Sequence, residues 1–101
     1  MNSKLIENYF EYLINHFFKI LPLKEGKENT LPVYIESLQA ELLGFEKLFK
    51  SLNYNGSIVT LISILQYLID RPDCPTHVVK REVFKAISIC EHLLKSYRGD
   101  D

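Results

Sequence analysis

The chain has 101 residues, 47% hydrophobic and 25% charged, with a formal charge of −1 at pH 7. That is the size of one ordinary domain around a single core, and it is too apolar to be a disordered segment. A near-zero net charge argues against nucleic acid and membrane surfaces as partners, and two cysteines are too few for a disulfide framework. The opening stretch, MNSKLIENYFEYL, carries Glu7 and Glu11 within its apolar region and no small-residue cleavage site. It does not read as a signal peptide, so the expected location is cytoplasmic.

The first helix is expected from about 4 to 21, with Ser3 as its N-cap. Lys4, Asn8, Glu11, Asn15 and Lys19 form its polar stripe; Leu5, Ile6, Tyr9, Phe10, Leu13, Phe17 and Leu21 form its apolar face. Pro22 is expected to stop it. A charged loop around Gly26 follows. The second helix is expected over 31–53, with Thr30 as N-cap and Pro32 in the first turn. Its apolar face is Leu31, Ile35, Leu38, Leu42, Phe45, Phe49 and Leu52. Ser37, Ala40, Gly44 and Ser51 give it a small-residue side, with Gly44 expected to be a packing notch for another helix.

The third helix, over 58–70 with Ser57 as cap, is apolar nearly all round. Its thin polar seam, Thr60, Ser63, Gln66 and Asp70, repeats every three or four residues, which favours helix over strand for this β-branched run. A helix of that kind must be covered on several sides. The stretch is about fourteen residues, short of the roughly twenty that a membrane span needs. Two prolines in DRPDCPT make a stiff connection to the fourth helix, over 76–97, whose core face is Val79, Val83, Ala86, Ile87, Cys90, Leu94 and Tyr97. The expected fold is all-α: a single compact domain of four main helices around a central apolar helix.

Chemistry-bearing patterns are sparse. Cys74 and His77 have the spacing of half a zinc site. Cys90 and His92 lie about 200° apart on their helix, so both cannot face one ion. No metal or cofactor is expected. His16 reads as a boundary histidine packing its ring, since a general base needs an oriented partner. The four glycines are isolated, so there is no phosphate loop, and the chain is not expected to be an enzyme. Lys80, Arg81 and Lys85 read as a solvated face balanced by Glu82 and Glu91. As cations early in a helix they oppose its dipole, which suggests Asp70 or Asp73 as an anionic neighbour.

Three large apolar side chains fall among charges. Phe18 lies between Glu7 and Glu11, Leu43 lies among Glu36, Gln39, Glu46 and Lys47, and Phe84 lies among Lys80, Ser88 and Glu91. An apolar anchor ringed by charge is the pattern of a protein-binding hot spot. The candidate partner-binding residues are therefore Glu7, Glu11, Phe18, Glu36, Gln39, Leu43, Glu46 and Phe84.

The segments LPVYIESLQAELLGFEKLF, ISILQYLID and REVFKAISICEHLL, within Leu31 to Leu94, resemble small helical bacterial immunity proteins, especially those guarding against contact-dependent growth-inhibition toxins. The likeness is one of size, helical make-up and texture. It implies a cytoplasmic protein, monomeric when free, that neutralises one toxin domain by occluding its active site or substrate surface. The other readings open to this sequence are a small helical nucleic-acid-binding module using the fourth helix, or a regulatory subunit.

Overall fold

The computed structural model describes residues 3–45 and 55–98. Within them the chain is all-α and forms one globule of four helices: α1 (Ser3–Glu25), α2 (Leu31–Gly44), α3 (Asn55–Asp70) and α4 (Thr76–Arg98). Each helix packs on two neighbours, α1 on α2 and α4, and α3 on α2 and α4, with the α1–α4 contact much the largest. Ile6, Phe10, Leu13, Phe17 and Ile20 of α1 meet Val79, Val83, Ala86, Cys90 and Leu94 of α4 in one shared core.

Several expectations are corrected. Helix α1 runs through Pro22 to Glu25. A proline within the final turn removes the intrahelical bond to one carbonyl, that of Phe18, which a long, well-packed helix tolerates. The true stop comes later. Gly26 N–H donates to the Pro22 carbonyl (2.9 Å), Lys27 N–H to that of Lys24 (3.1 Å) and Glu28 N–H to that of Leu23 (3.0 Å). Lys27 has φ 53°, the left-handed turn of a Schellman cap. The glycine that favours such a turn lies one residue too early, at Gly26.

Thr30 does not cap α2 with its side chain; its backbone is already helical at φ −81°, ψ −9°. Helix α2 closes at Gly44, short of the expected 53, and positions 46 to 53, Phe49, Ser51 and Leu52 among them, lie outside the described residues. Gly44 is no packing notch: a Cβ there meets nothing within 4 Å, and Ser37 and Ala40 are exposed beside it. Helix α3 begins at Asn55, so Ser57 lies inside the first turn rather than capping it.

Helix α3 supplies a large share of the core. Its Ile58, Leu61 and Leu65 are fully buried and Ile62 is half-buried against the core. Among the described residues it packs on α2 and α4 and leaves Val59 47% exposed. Leu5, expected on the core face of α1, is 63% exposed, and Phe45 is also exposed. Ile20 and Leu93 take buried places that the periodicity did not assign.

Candidate functional site

Antiparallel packing of α1 on α4 is marked by two ring contacts. Phe10 meets Tyr97 with centroids 6.5 Å apart, and Phe18 meets Phe84 edge-on at 6.1 Å and 81°. The second pair lies on the outside: Phe18 remains 43% exposed and Phe84 44%. Two side chains that looked separately stranded in sequence are thus one aromatic ridge. Glu7 and Glu11 lie about 20° to either side of Phe18 at 100° per residue, on the same stripe of α1 but about three and two turns away; the contact across the α1–α4 face is that of Phe18 with Phe84. The remaining candidates lie elsewhere. Leu43 is exposed on α2, which does not pack on α4. Gln39 turns toward α3, donating to the Ile62 carbonyl (3.3 Å) and to Gln66 Oε1 (2.9 Å). Glu36 lines a cavity of about 550 Å³ at the end of the bundle. Glu46 is outside the described residues.

That cavity opens between the α1–α2 and α3–α4 connections. Leu31, Ile35, Leu68 and Val79 are among its apolar lining. Lys24 Nζ crosses it to the Pro72 carbonyl at 3.2 Å, tying one connection to the other.

Along the α1–α2 seam runs a network that sequence reasoning missed. The His16 ring lies 4.1 Å from that of Tyr12 and is stacked near Tyr34 at 5.8 Å. His16 Nδ1 is 2.6 Å from the Tyr34 hydroxyl, which donates its proton to the His16 carbonyl at 3.1 Å. Tyr12 donates to Glu41 Oε2 at 3.2 Å. Burial, then the charge of Lys19, holds His16 below its ordinary pKa, with Glu41 opposing. Burial also raises the Tyr34 and Tyr12 phenols, helped by Glu41. All three groups are therefore neutral near pH 7, and the seam is a hydrogen-bonded tie between helices. The oriented partner that a histidine needs is Tyr34. The signal for the aromatic row was the spacing of Tyr9, Tyr12 and His16 along one side of α1.

On α4 the basic cluster is not a simple solvated face. Glu82 is buried, with Arg81 Nε 3.0 Å from its Oε2 and Lys85 Nζ 3.2 Å from its Oε1. Burial pushes this carboxyl up, but the hydrogen bonds from Arg81 and Lys85 overcome that and hold it below its ordinary value. The anionic neighbour of these cations is thus Glu82, not Asp70, which accepts from Gln66 at 2.8 Å, or Asp73, which lines the cavity.

Cys90 is fully buried and His92 exposed, so they point apart as their spacing requires. Burial pushes the Cys90 thiol up to about 12, which leaves it protonated and inert as a nucleophile. Among the described residues no three of His, Cys, Asp and Glu come together as a metal site, and no helix is long and apolar enough to cross a membrane. No family model, curated protein or solved structure matches the chain.

Proposed function

We propose that this protein acts by binding another protein through the α1–α4 face, as a cytoplasmic inhibitor of the immunity type that covers the active site or substrate surface of a toxin domain. The observation that carries the reading is the Phe18–Phe84 ridge, two large rings in edge contact, each left more than two-fifths exposed. A paired aromatic anchor spends little conformational entropy on docking and offers a large apolar payload. Charged neighbours on the same face, Glu11, Lys80 and Glu91, are suited to accelerate encounter and select the partner. Action by occupancy requires no catalytic group, and none is assigned.

Co-expression with the product of the adjacent gene, followed by affinity capture and calorimetry, tests this. Phe18→Ala and Phe84→Ala are each expected to weaken binding by about 2 kcal/mol, with the melting temperature nearly unchanged. If both variants bind as the parent does, the ridge is not the anchor. If both unfold the protein, the rings belong to the core.

A further inference from the structure

A different face, the seam between α3 and α4, carries Arg71, just past the end of α3, with Arg81 and Lys85 of α4. Tyr67 stands at its centre. The guanidinium carbon of Arg71 lies 3.9 Å over the centre of the Tyr67 ring, and its Nη1 donates to the Tyr67 carbonyl at 3.4 Å. Arg81, from the neighbouring helix, reaches the Tyr67 side chain as well while its Nε holds Glu82. Lys85 completes the group from the other side of Glu82. Two cations thus hold one buried carboxylate, with Arg71 on Tyr67 as the third of the group, and the Arg81 and Lys85 side chains remain 59% and 58% exposed.

We propose that this seam binds single-stranded nucleic acid, with Arg71, Arg81 and Lys85 on the phosphodiester backbone and a base stacked on the outer face of the Arg71 guanidinium. Glu82 neutralises about one of the three charges and pins two of the side chains, so they meet a phosphate already oriented. Tyr67 does the same for Arg71. A guanidinium stacked on a ring keeps its second planar face open, and such planes are platforms for unstacked bases. An anionic membrane is a poorer fit, because adsorption needs apolar groups beside the cations. Phe84, the large exposed apolar side chain of α4, leans on Phe18 of α1 instead. The near-zero net charge of the chain limits long-range attraction but not a local contact of this kind.

Fluorescence anisotropy of a labelled oligouridylate with the full chain, between about 50 and 200 mM salt, tests the proposal. Three backbone contacts give a slope of log affinity on log salt of about −2, and loss of one contact reduces it by about 0.7. Arg71→Gln leaves both partners of Glu82 in place and is the decisive variant; Lys85→Gln is expected to show the same loss. Binding that Arg71→Gln does not weaken overturns the proposal, as does no binding at the lowest salt. Equal affinity for a duplex of the same length, or equal retention on anionic lipid vesicles, overturns the assignment to single strands.

Discussion

Lys27 sits in a conformation that its side chain opposes. With φ 53° it carries the left-handed turn that ends α1, a turn that crowds Cβ in any residue but glycine. Lys27→Gly should therefore stabilise the protein by about 0.5–1 kcal/mol, after allowing for the extra freedom of glycine in the unfolded chain; the urea midpoint reads this directly. His16 gives a pH dependence. Its folded-state pKa is lowered by burial from 6.5, so below pH 6.5 the unfolded chain takes up a proton that the folded chain resists. The stabilising contribution is complete above that value, declines as pH falls beneath it, and levels off below the folded pKa. Urea midpoints measured from about pH 8 down to about pH 5 should fall, and His16→Gln should flatten the fall.

At the level of the helices, periodicity was a good guide to which side of α4 is buried. Val79, Val83, Ala86, Ile87, Cys90 and Leu94 are in the core and Tyr97 is partly buried against it, because a long amphipathic helix has one way to hide its stripe. For α3 the apolar surplus pointed to a covered helix, as its buried Ile58, Leu61 and Leu65 show, without saying which helices cover it. Periodicity also did not separate Glu82, buried with Arg81 and Lys85 on its carboxylate, from the exposed charges of α4. The Phe18–Phe84 ridge was half legible: each ring could be placed outside its own helix, but their meeting depends on the register of α1 against α4, which no single helix encodes. Leu65 tests the part played by α3. It is fully buried, so Leu65→Ala should cost about 2–5 kcal/mol in urea denaturation; a cost below about 1 kcal/mol would mean that α3 does not support the core.

For the molecule as a whole, the governing contact is α1 against α4, the first described helix on the last. Removing α4 uncovers Phe10, Leu13 and Phe17 together, each fully buried in the complete structure. A chain ended after Asp70 should therefore lose cooperative unfolding and bind a hydrophobic dye, which circular dichroism melts and dye fluorescence will show.

The closure of α1 on α4 also sets an order of events during synthesis. Helix α1 emerges from the ribosome before α4 and meets this partner only after α4 has been made. At about 5–20 residues per second, the intervening residues take seconds to appear, long compared with the microseconds in which helices form. Through that interval the phenylalanines of α1 are available to chaperones or to other nascent chains. Slowing translation between Pro72 and Pro75 with rare codons would lengthen that exposure without altering a single side chain.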